Sequence, residues 1–94
     1  MITQEQRKII LETISVHSPK LIGIFGSYAR NEEDADSDLD ILVDFENTPD
    51  LLTLIGMEQE LSEKLKIKVD LVTVGSLNQR LRSSVEKDFV SLRA

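Results

Sequence analysis

Apolar side chains recur along this chain at two spacings, and the switches between them lay out a fold. Behind Thr3 and Gln6, whose separation suits a capping box, Ile10, Leu11 and Ile14 follow at helical spacing. The pattern predicts a first helix from about Thr3 to Val16, ended by Pro19. Leu21-Ile22-Gly23-Ile24-Phe25 is a short apolar run bounded by turn residues, as a buried strand would be. Ser27 then stands where it can cap a short helix through Tyr28, Ala29 and Arg30. A polar loop follows, and a second strand is predicted from about Asp38 to Phe45.

Thr48-Pro49 has the form of an N-cap and first helical position. Leu51, Leu54, Ile55, Leu61 and Leu65 would line one face of the helix it starts. Ile67 to Val74 alternates as a third strand, with Asp70 inside it and Gly75 ending it. Ser76 and Gln79 form a second capping-box signal, and Leu77, Leu81, Val85 and Phe89 recur every fourth residue on a last helix. The order α-β-α-β-α-β-α implies an α/β domain over residues 1–94, a small mixed sheet with flanking helices. No repeat or linker interrupts it.

Successive side chains on a strand point to opposite faces. Leu39, Ile41, Val43 and Phe45 therefore share a wholly apolar face, which should be core, while Asp38 and Asp40 share the other with Leu42 and Asp44. The first two acids stand about 7 Å apart by backbone rise. Carboxylates so placed raise each other's pKa unless a positive charge lies between them. A divalent cation answers that need, and magnesium favours one or two carboxylates plus phosphate oxygens. Asp70 would join the cluster if its strand is a neighbour; otherwise it would pair with Lys66 or Lys68.

Gly26-Ser27, separated from Asp38 by ten residues, supplies a complementary half. A glycine lets the backbone approach a ligand closely, and a helix start offers free N–H groups to an anion. Gly26 and Ser27 are thus candidates to hold phosphate. Arg30 would either neutralise a triphosphate or bond Glu33 or Asp34 at the surface. His17, the lone histidine, sits at a predicted helix end, and Tyr28 is expected to pack rather than react.

Composition narrows the classes. Forty per cent of residues are apolar and 30% charged, with few aromatics, so the core must be Leu, Ile and Val. Without cysteine there is no disulfide, thiolate metal site or thiol nucleophile. No signal peptide or membrane span is seen, and a soluble cytoplasmic protein is expected. The net charge of −6 is uneven: residues 31–50 hold nine of the seventeen acids and no Lys or Arg. That is unlike the continuous positive stripe of a nucleic-acid binder. Asp34-x-Asp36-x-Asp38 resembles the start of an EF-hand loop, but Leu39 and Phe45 occupy the positions that need Gly and Glu. An aspartyl-phosphate enzyme would place its acids after the apolar strand, whereas here they precede it.

Gly26-Ser27-Tyr28-Ala29-Arg30, the ten-residue spacing, Asp38-Leu39-Asp40-Ile41 and Val69-Asp70-Leu71-Val72-Thr73 resemble the minimal nucleotidyltransferases of the polymerase-beta-like superfamily. The similarity runs from about Leu21 to Thr73 and implies a nucleotidyltransferase palm core. By that resemblance Gly26 and Ser27 would hold triphosphate oxygens, and Asp38 and Asp40 would bind two Mg2+ ions. Asp70 would be the third carboxylate, orienting or deprotonating the acceptor hydroxyl. Stand-alone versions resemble antitoxins paired with a helical HEPN toxin, which implies transfer of AMP from ATP to a toxin tyrosine within a hetero-oligomer. A palm of this size offers little surface for an acceptor. A protein that brings its own binding surface is therefore expected, meeting exposed apolar residues on the first or last helix. Two alternatives stand beside this reading: an antitoxin that neutralises by binding alone, and a transferase for a small molecule.

Overall fold

The computed structural model describes residues 1–93. Four strands form one mixed sheet in the order β3-β2-β1-β4. β1 (Pro19–Phe25) and β2 (Leu39–Phe45) are antiparallel, with Ile24 opposite Ile41 and Phe25 opposite Asp40. β3 (Val69–Thr73) runs parallel to β2, which sets Asp70 beside Asp40. The parallel pairing needs a crossover, and α2 (Leu51–Leu65) supplies it. β4 (Val90–Ser91) is a two-residue strand antiparallel to β1.

One face of the sheet is sealed by α1 (Gln4–Ser15) and α2. Ile10 and Ile14 meet Ile22, Ile24, Leu39, Ile41, Val43 and Val69, and Met57, Leu61 and Leu65 come down from α2. As expected, Leu39, Ile41, Val43 and Phe45 are core, none more than 3% exposed. The stripe on α2 is not the expected one. Leu51 and Ile55 lie exposed, while Leu54, Met57, Leu61 and Leu65 carry the packing. Met57 completes an i, i+3, i+7, i+11 set that fits one helix face.

Thr3 and Gln6 cap α1 as a reciprocal box. Three other expected boundaries move. Residues 27–31 form a run of turns, not a helix, with Arg30 N donating to Gly26 O and Glu32 N to Ser27 O. Asp50, not Thr48, caps α2 by accepting from Thr53 N, because the carboxylate is the acceptor next to the first turn. Asn78, not Ser76, caps α3 (Gln79–Asp88). Ser76 lies instead in a 3-10 turn over Val74–Ser76, its hydroxyl bonded to that of Thr73. The order becomes α-β-β-α-β-α-β, apart from that single turn. The sheet-and-helix class stands, but β1 and β2 are joined without a helix between them, and β4 leads into Leu92, which joins the core.

The outer edge of β3 is held by side chains. Val69 N donates to Ser62 Oγ at 3.0 Å and Leu71 N to Glu58 Oε2 at 2.7 Å, both from α2. These satisfy edge groups that would otherwise invite another strand. They also fix the backbone on either side of Asp70.

Candidate active site

The second face of the sheet is built from Phe25 and Gly23 of β1, Asp40 and Leu42 of β2, and Asp70 and Val72 of β3, by the register of the strands. It is only partly covered. Phe89, just after α3, lies on Gly23, where any β-carbon would collide with its ring. That close approach is what Gly23 permits, and it seats the end of α3 on this face beside β1. The acids remain half-buried at the other end of the register.

Asp40 is the centre of the cluster. Burial pushes its carboxyl up to about 6, and the charges of Asp70 and Asp38 add to the shift while that of Arg30 opposes it. Gly26 touches the same carboxylate: it sits at φ +75, and a β-carbon there would run into Asp40 Oδ2. Two reasons therefore require glycine at this position, a left-handed backbone and a carboxylate against it. The Gly-Ser segment and the paired acids, far apart in sequence, are thus in contact.

Asp38 precedes β2 rather than opening it, and its Oδ2 pairs with Lys68 Nζ at 3.8 Å. Lys68 therefore holds Asp38 and not Asp70. Among the described residues, no three acidic or histidine groups are already arranged to hold a metal ion. The donor set still fits a divalent cation: Asp40 and Asp70 are neighbours in register, and Asp40 is destabilised by charges that a cation would neutralise. Asp38 is near enough for its charge to act on Asp40, and its pairing with Lys68, which is 74% exposed, is weak.

Ser27 is half-buried, and among the described residues its hydroxyl makes no hydrogen bond. Its expected capping role is absent, which leaves the oxygen free for another partner. Arg30 bonds Glu32 at 3.0 Å and Asp88 at 2.7 Å, where Glu33 or Asp34 was expected. Asp88 carries no sequence signal of its own, since only the tertiary fold brings it to Arg30. Tyr28 is core. Among the described residues the large exposed apolar ones are Met1, Val16, Leu51, Leu52, Ile55 and Val74, so of the two helices expected to carry such residues α1 has Val16 at its end and α3 has none. Among the described residues no helix is long and apolar enough to cross a membrane.

Known proteins are similar to this chain in sequence and fold. The model of the nucleotidyltransferase domain family matches residues 4–92. The protein adenylyltransferase MntA of Thermococcus cleftensis is 48% identical over 69 residues, which span 73% of this chain and 70% of the relative. A crystal structure of a toxin–antitoxin complex with AMP-PNP superposes with a TM-score of 0.83 at 28% identity, covering 98% of this chain and 74% of the other. A complex of tri-AMPylated Shewanella oneidensis HEPN toxin with its MNT antitoxin gives 0.80 at 26% identity, covering 99% and 73%. With the family model matching residues 4–92 and the Gly-Ser turn set against paired carboxylates, the chain belongs to the minimal nucleotidyltransferases, enzymes of the protein adenylyltransferase type.

Proposed function

We propose that residues 1–94 act as one Mg2+-dependent domain that transfers AMP from ATP to a hydroxyl, a tyrosine, of a HEPN toxin partner, and so serve as its antitoxin in the cytoplasm. The contact of Gly26 with Asp40, itself beside Asp70, is the observation that carries this reading. It joins a phosphate-holding turn to a carboxylate pair in need of cations. The names of the relatives and the AMP-modified toxin in a similar complex support the same direction.

In this reading Gly26 lets the backbone approach the triphosphate, the free Ser27 hydroxyl donates to it, and Arg30 offsets its charge. Asp38, Asp40 and Asp70 would hold two Mg2+ ions, with Asp38 released from Lys68. Bound metal supplies charge neutralisation at the attacking and leaving oxygens. Asp70 orients the acceptor and takes its proton. The hydroxyl oxygen bonds to the α-phosphorus as the bond to the bridging oxygen breaks, and pyrophosphate leaves with that electron pair. In-line geometry is what the site must provide.

Co-expression with the partner tests the proposal, read by intact mass and toxicity. Wild type should add AMP masses to the partner, whereas Asp38→Ala/Asp40→Ala should leave it unmodified and toxic. Rescue by the double variant with no mass added in either case would leave an antitoxin that works by occlusion.

A further inference from the structure

Arg30 has a second partner that phosphate binding does not explain. Its Nε bonds Glu32, whose side chain is 64% exposed, and such a pair contributes little. Its Nη1 donates to Asp88 Oδ2 at 2.7 Å across a separation of 58 residues, and the Asp88 side chain is only 7% exposed. Asp88 is also the last residue of α3, where the helix dipole is negative and an acid is unfavourable. A carboxylate withdrawn from water at that end destabilises the fold unless a cation answers it. Among the described residues, Arg30 is the cation that does so.

The surroundings fix the pair in place. Phe89 on Gly23 anchors the end of α3 to β1, and β1 leads directly into Gly26. Arg30 N donates to Gly26 O, so the arginine backbone is tied to the same turn. A guanidinium is a planar fork, and among the described residues its Nη2 makes no hydrogen bond. Holding Nη1 therefore orients Nη2. We infer that Asp88 is a positioning residue, which holds the Arg30 guanidinium so that Nη2 meets the triphosphate of a bound nucleotide. The inference rests on the nucleotide reading of the Gly26-Ser27 turn proposed above. It adds an acid, far along the chain, that acts through Arg30 alone.

Calorimetric titration of the full chain with AMP-PNP in magnesium tests it through a double-mutant cycle. Asp88→Asn should weaken binding about five- to ten-fold in the wild-type background, the order expected when one charge-assisted contact is misplaced. In the Arg30→Met background the same change should alter binding less than about two-fold, because no guanidinium remains to be oriented. Asp88→Glu, which keeps the charge, should recover part of the affinity, and it serves the same cycle if Asp88→Asn fails to fold. A similar loss in both backgrounds would overturn the inference and make Asp88 an anchor for α3. So would full affinity in Asp88→Asn when wild type binds. A wild-type chain that binds no AMP-PNP would overturn the nucleotide reading itself and this inference with it.

Discussion

The two faces of the sheet share their strands but obey opposite rules. On one, Leu39, Ile41 and Val43 are wholly buried against α1 and α2 in a cluster of apolar side chains, with Thr13 and Thr73 as its buried polar residues. On the other, Asp40 alternates with them along the same strand, half-buried beside Asp70 and Asp38, with its carboxyl pushed up to about 6. The first face is arranged for stability and contains nothing reactive. The second holds a charge conflict that the folded chain alone leaves unresolved. Sites that bind cations commonly sacrifice stability in this way, so the same substitution type should have opposite effects on the two faces.

The largest effect should come from the open face. Asp38→Ala/Asp40→Ala should reduce labelling of the partner by α-labelled ATP at least about 1,000-fold, or about 4 kcal/mol in the barrier, with an intact far-ultraviolet spectrum. Unchanged labelling would place the chemistry elsewhere. The mirror experiment is Ile41→Ala, between Asp40 and Leu42 in the chain but on the sealed face. It should lower stability by about 2–5 kcal/mol in denaturant titrations. AMP-PNP affinity of the fraction that remains folded should be near normal. A loss of affinity without loss of stability would show that the faces are not separable.

Period-two alternation made the sealed face and its opposite legible from residues 38–45, and the Gly-Ser spacing pointed to the turn that Asp40 now touches. What could not be read locally was long-range. Asp88 and Arg30 meet across most of the chain, and Lys68 reaches Asp38 and not Asp70. β4 has only two residues, too few for any period. The cap positions were misplaced for a different reason. Thr48 and Ser76 are good caps by type, but Asp50 and Asn78 are equally good and stand next to the first turn that packs. Exposed Leu51 and Ile55 likewise satisfy helical spacing without facing the core.

Asp70 stands where the two regimes meet, because its strand is steadied from the sealed side. Glu58 accepts from Leu71 N and Ser62 from Val69 N, flanking it. Glu58→Ala leaves an edge N–H without its carboxylate, which should lower stability by about 1–2 kcal/mol. It should also lower transfer more than AMP-PNP binding, since Asp70 is proposed both to help hold metal and to take the acceptor's proton, and the second role bears on transfer alone. Equal losses in both would mean that β3 shifts as a whole.

The smallest effect is also the one whose sign depends on pH. Burial and the neighbouring acids push the Asp40 carboxyl up to about 6 in the folded chain, against about 3.9 when unfolded. Well below pH 4, at about pH 3 and under, it is neutral in both states and no penalty exists. As pH rises from about 4 to 6, the unfolded chain releases its proton first, so the metal-free fold loses stability, and above about 6 the loss is complete. Asp40→Asn removes the titration. After discounting for solvent screening at this half-open site, it should stabilise the metal-free protein by about 1 kcal/mol at pH 7–8 and by nearly nothing at pH 4. Magnesium with AMP-PNP should reverse the ranking at neutral pH, because wild type then gains a ligand that the amide holds poorly. The same difference in melting temperature between the two proteins at pH 4 and at pH 8 would show that Asp40 carries no penalty, and that the open face is no less relaxed than the sealed one.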